Sequence, residues 1–114
     1  MSGASSRRKG NRAEVEVVRI LREAGFDAET SRAARGGYQS GEDIVTDFPA
    51  SIEVKNQTRL DLAGWYEQAK AQAYGKPAMV VHKRVGKGQA REWWVTMTLD
   101  DLLRLVEPWD TDDA

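Results

Sequence analysis

The chain has no cysteine, so disulfides and thiolate zinc sites are excluded. It has a single histidine, His82, which excludes a histidine-rich metal centre. Any metal would have to be held by oxygen donors, which favours Mg²⁺ or Mn²⁺. No apolar run approaches the length of a membrane span, so no membrane partner is expected. The start carries Arg7, Arg8 and Lys9 but no apolar core of a secretory signal. These absences suit a reducing, cytoplasmic setting. Neither sign of charge dominates, and the net charge is −1.

What is present is 114 residues, 40% hydrophobic and 31% charged, the composition of one globular domain with a modest core. The near-neutral total hides an asymmetry. Residues 1–40 hold eight Lys/Arg against five Asp/Glu, and residues 41–114 hold nine against thirteen. Residues 1–9 read as a flexible basic arm, 10–107 as the domain, and 108–114 as an acidic tail. Concentrated positive charge on a near-neutral protein can still grip a polyanion.

A helix is predicted from Asn11 to Ala24, with Asn11 and Glu14 as a capping box and Gly25 as the stop. Its inward stripe is Ala13, Val17, Val18, Ile20, Leu21 and Ala24, and Glu14 is in phase with it. Strands follow at 26–30, 43–47 and 51–56, the last two joined by Phe48-Pro49-Ala50 as a hairpin. A second helix covers 62–74 and ends at Gly75-Lys76-Pro77. Strands at 78–83 and 92–97 and a helix opened by Thr98 complete the order α-β-β-β-α-β-β-α. The expected class is α/β: a mixed sheet flanked by helices.

One strand carries an oddity, Ser51-Ile52-Glu53-Val54-Lys55-Asn56. Side chains alternate along a strand, so Glu53 and Lys55 share one face and Ile52 and Val54 the other. Opposite charges beside a buried face are costly unless something needs them. An ordinary ion pair on a solvated strand would account for the two alone. Asp43 opens the preceding strand, Glu14 lies on the inward helix edge, and Gln68 sits on the second helix one turn after Trp65 and Gly64. An Asp followed by Glu-x-Lys on the next strand is an arrangement suited to metal-dependent phosphodiester hydrolysis.

Lys9-Gly10-Asn11-Arg12-Ala13-Glu14, Leu21-Arg22-Glu23-Ala24-Gly25-Phe26, Gly41-Glu42-Asp43-Ile44-Val45, Ile52-Glu53-Val54-Lys55 and Gln68 together resemble the archaeal-type Holliday junction resolvases of the PD-(D/E)xK nuclease superfamily. The resemblance runs over roughly residues 7–97. The family's usual Pro before the Asp is Glu42 here, and its Arg-Ser pair appears as Thr30-Ser31-Arg32. The resemblance implies a restriction-endonuclease-like fold and a homodimeric, Mg²⁺- or Mn²⁺-dependent endonuclease acting on four-way DNA junctions. Asp43 and Glu53 would hold metal with the Val54 carbonyl, and Glu14 would reach it directly or through water. Lys55 would orient the attacking water or offset developing charge, and Gln68 would position Lys55 or water. Arg7, Arg8, Lys9, Arg12, Arg32 and Arg35, tethered to these residues, are the first choice for DNA phosphate contacts. Lys83, Arg84, Lys87 and Arg91 form a weaker candidate patch. A nuclease for flaps or plain duplex, or a DNA-binding protein without chemistry, would carry much of the same pattern. Trp65, Trp94 and Trp109 are candidates for a dimer interface, and His82 for a strand residue without a catalytic role.

Overall fold

The structure is a computed structural model that describes residues 3–34 and 43–107. Arg35, Glu42, Trp109 and the rest of the acidic tail lie outside the described residues. Helix α1 (Gly3–Glu23) leads into strands β1 (Ala28–Thr30), β2 (Ile44–Thr46) and β3 (Ser51–Lys55). Helix α2 (Leu62–Ala71), strand β4 (Ala78–His82), strand β5 (Trp94–Thr96) and helix α3 (Leu99–Val106) follow, with a short 3₁₀ turn at Ala90–Glu92. The expected element order is present, and the chain is mixed α/β with two small sheets.

Two expectations are corrected. The first helix begins at Gly3, so Arg7, Arg8 and Lys9 stand on α1 and not on a flexible arm, and Asn11 with Glu14 is no capping box. The 43–47 and 51–56 segments also do not form a hairpin ladder. β2 pairs antiparallel with β1, setting Ile44 opposite Thr30. β3 pairs parallel with β4, setting Glu53 opposite Val80 and Lys55 opposite His82. β5 then lies antiparallel on β4. A short turn between two apolar runs looks like a hairpin in sequence. The strand that pairs with β3 arrives only after a helical crossover.

Strands β3 and β4 are covered on both sides, while β5 is left largely exposed. Ile52, Val54, Met79 and Val81 join Ala13, Val17, Val18 and Leu21 of α1 in one core. Ala78 and Val80 face the other way, against Trp65, Ala69 and Ala73. By strand alternation Glu53 and Lys55 therefore look toward the α2 side while their neighbours feed the α1 core. α1 closes at Gly25 (φ 101°), where the Phe26 N–H returns to the Leu21 carbonyl at 3.0 Å. α2 opens on Asp61, whose carboxylate accepts from the Gly64 N–H at 3.1 Å. A Cβ at Gly64 would lie 2.3 Å from that carboxylate, so a larger residue there would make the Asp61 side chain shift. α3 opens on Thr98, whose hydroxyl accepts from the Asp101 N–H.

Trp93, at the end of the 3₁₀ turn just before β5, is buried, and Trp94, which opens β5, is exposed. Trp65 is buried against Ala69, and so is unavailable to an interface. His82 is buried in β4 with its ring nitrogen 2.7 Å from the Thr96 hydroxyl.

Candidate active site

Glu14 from α1, Asp43 before β2, and Glu53, Val54 and Lys55 of β3 line one cleft of about 520 Å³, together with Lys9, Gly10, Asn56, Gln57 and Thr58. A larger hollow of about 740 Å³, between Arg22 and Asp47, gathers none of these residues. The β3 strand delivers its acid and base from one face. Lys55 Nζ lies 3.6 Å from Glu53 Oε2 and donates to Gln68 Oε1 at 2.9 Å. Gln68 meets Lys55 because it stands on α2, which packs over the face that Glu53 and Lys55 share.

Asp43 is held differently. Its Oδ2 accepts from the Val54 N–H at 2.8 Å, a side-chain bond that spans the seam between the two sheets. Val54 thus enters the site through its amide. Glu14 Oε1 lies 3.4 Å from an Arg32 guanidinium nitrogen. Arg32 therefore reaches the cleft's edge, whereas Arg7, Arg8 and Arg12 are exposed on α1 outside it.

The three carboxyls are all driven toward protonation. Burial raises Asp43 most, against the Val54 N–H and the Lys55 charge. Burial and the negative charge of Asp43 raise Glu14, with Arg32 opposing. Glu53 goes furthest, to about 7, from burial first and Asp43 next, with Lys55 only partly offsetting them and Glu14 adding to the rise. Mutual repulsion among partly desolvated carboxyls costs stability. Among the described residues no group of three or more His, Cys, Asp or Glu is arranged to hold a metal ion. The donors that are present are all oxygens, three carboxyls crowded together with Lys55 and Arg32 beside them, and that chemistry fits a hard divalent cation.

Asn56 is a residue that sequence reasoning passed over. Its amide donates to the Lys9 carbonyl at 3.3 Å and ties α1 to the end of β3. Its position next to Lys55 was the available signal. No protein-family model, curated protein or solved structure matches this chain.

Proposed function

We propose that this protein is a divalent-metal-dependent endonuclease that hydrolyses phosphodiesters in branched DNA, with the four-way junction as its substrate and a homodimer as its working form. The observation that carries this reading is the Lys55 ammonium, 3.6 Å from Glu53 and bonded to Gln68, beside Asp43 in an open cleft. A lysine tethered in this way can act on a bound phosphate. The fold type this reading invokes is the restriction-endonuclease-like one, in which a mixed sheet presents such a strand pair.

Asp43 and Glu53, with the Val54 carbonyl, would hold Mg²⁺ or Mn²⁺, and Glu14 would reach it directly or through water. Such an ion, when bound, neutralises phosphate charge and makes hydroxide available at neutral pH. The chain's own residues do the rest. Gln68 Oε1 takes one of the three Lys55 N–H groups and fixes the ammonium's direction. The remaining N–H groups can orient the attacking water or stabilise charge developing on the phosphate. Lys9, at the cleft's rim, and Arg32, on Glu14, would meet flanking phosphates. Nothing in the chain resembles a base-reading module, which favours recognition of shape over sequence.

A second copy is supported by apolar side chains left exposed on β5 and α3: Trp94, Val95, Leu99, Leu103 and Val106. A C₂ pair would present two clefts to the two-fold symmetry of a junction.

The test is cleavage of a labelled four-way junction and of its linear duplex, with Mg²⁺ and with EDTA. Junction cutting that needs Mg²⁺ is expected. Equal rates on both substrates would remove the junction assignment in favour of a flap or duplex nuclease. Binding without any cutting would leave a DNA-binding protein that does no chemistry.

A further inference from the structure

We propose that a second phosphate subsite lies beside the carboxylate cleft, in a groove lined by Lys9, Arg12, Asn56 and Lys83, and that it holds a DNA phosphodiester flanking the one presented to Lys55. The proposal rests on the nuclease reading above for its ligand. It names where the strand runs.

The groove encloses about 500 Å³ and shares two wall residues, Lys9 and Asn56, with the catalytic cleft. The two hollows thus meet on either side of the Asn56–Lys9 hydrogen bond. Three of the groove's side chains are cationic, and none of the three has a carboxylate partner among the described residues. The only acid lining the groove is Glu16, and it is engaged elsewhere. Its carboxylate accepts from Arg19 at 3.0 and 2.8 Å and from the Ala90 N–H at 2.9 Å. The groove is therefore left with uncompensated positive charge and an amide donor, the chemistry that binds a phosphate oxyanion.

The basic run 83–91 is divided by its partners. Lys87 lies 3.4 Å from Glu92, and Arg91 3.1 Å from Glu23. Arg84 stacks on Trp94, 4.2 Å from the ring centre. Lys83 alone of the four lines the groove, with its ammonium 5.9 Å from the centre of the Trp93 ring. That contact steadies a long side chain at its working position. Trp93 itself is 8% exposed and donates its indole N–H to the Lys87 carbonyl, so it offers no platform for a base. The groove contacts backbone and not bases.

The experiment measures binding of the full chain to a fluorescent four-way junction, without divalent metal, across a salt series. Lys83→Gln should lower the log–log salt slope by about 1, as loss of one phosphate contact requires. Between roughly 50 and 200 mM salt, that variant should lose about three- to fourfold less affinity than the unmutated protein does. Arg12→Gln, on a different element, should lower the slope similarly, and the two changes together by about 2. Lys83→Arg should keep the slope, and so should Lys87→Gln, because Glu92 already offsets Lys87. An unchanged slope in both Lys83→Gln and Arg12→Gln overturns the subsite. Cutting of the junction is assayed with Mg²⁺ on the same preparations. Cutting with unchanged slopes removes the subsite and leaves the nuclease reading. Reduced slopes without cutting by the unmutated protein remove the nuclease reading and leave a DNA-phosphate groove.

Discussion

Glu53 on β3 and Asp101 on α3 are both buried, 5% and 0% exposed, yet their carboxyls move in opposite directions. Burial pushes both upward. At Asp101 hydrogen bonds from Tyr66, Lys70 and the Ala78 N–H outweigh it and bring the group down to about 2. Lys70 lies at 3.0 Å, Arg104 at 2.9 Å and the Ala78 N–H at 3.2 Å, with the Tyr66 hydroxyl also donating. One carboxylate thereby joins α3, α2 and the start of β4. At Glu53 the balance falls the other way, because Asp43 and Glu14 add negative charge that Lys55 does not cancel. Asp101 draws more donors than like charges, and Glu53 the reverse. A carboxylate raised and crowded in this way marks a candidate functional site.

The largest effect should come from Lys55→Ala. Removing a preorganised donor costs on the order of 10²–10³ in rate. Junction cleavage should fall by that much, and equilibrium junction binding far less. An equal loss in both would make Lys55 a phosphate anchor and blur its contrast with the structural lysine, Lys70.

Asp101→Ala is the complementary change. It should cost about 3 kcal/mol in urea unfolding, the low end for breaking a buried pair. The low end applies because Lys70 and Arg104, 41% and 36% exposed, regain water when freed. A loss under about 1 kcal/mol, the scale of a surface pair, would remove Asp101 as the fold's hub.

The pH dependence separates the two sites by sign. Glu53 has its folded pKa above the ordinary value of 4.5, so the fold favours the protonated form. Stability should fall as pH rises from about 4.5 through 7, by about 3 kcal/mol, and stay lower above. Asp101 is depressed instead. Its contribution is present above the ordinary 3.8 and is lost as pH falls through about 2. Urea unfolding of Glu53→Gln should show a smaller loss between pH 4.5 and 7, because Glu14 and Asp43 remain raised, and keep the acid limb. A variant that loses the acid limb instead would reverse the assignment.

Gln68→Ala should have the smallest effect, about tenfold on cleavage, in the range of outer-shell partners. The lysine keeps its charge and loses only its direction. The decisive measurement is kcat against KM: a change confined to KM would mean that Gln68 contacts DNA and does not position Lys55.

Much of this was legible in the sequence. Strand alternation placed Glu53 and Lys55 on one face, and the Asp43, Gln68 and Glu14 positions converge on it or border it. The Thr98 cap with Asp101 three residues on was also readable, because capping is local. What escaped were long-range pairings. Nothing near Ser51–Lys55 says that Ala78–His82 will lie parallel beside it. Asp101 reads as a first-turn acid, and only the packing of α2 against β4 turns it into a buried hub. The Gly3 start of α1 escaped because Gly-Ala-Ser-Ser is a weak opening by propensity. Arg12 was read as a contact beside the active site, but the groove it shares with Lys83 exists only once β4 and α1 are brought together.

The Asp43–Val54 bond has a consequence for observation. No backbone ladder ties β2 to β3, so this one side-chain bond is a rivet across the seam. Any ligand drawn to Asp43 would be felt on the other side of that rivet. The Val54 amide proton is therefore a built-in gauge: its chemical shift and exchange rate would report, from a single resonance, both the loading of the cleft and the tightness with which the two sheets are drawn together.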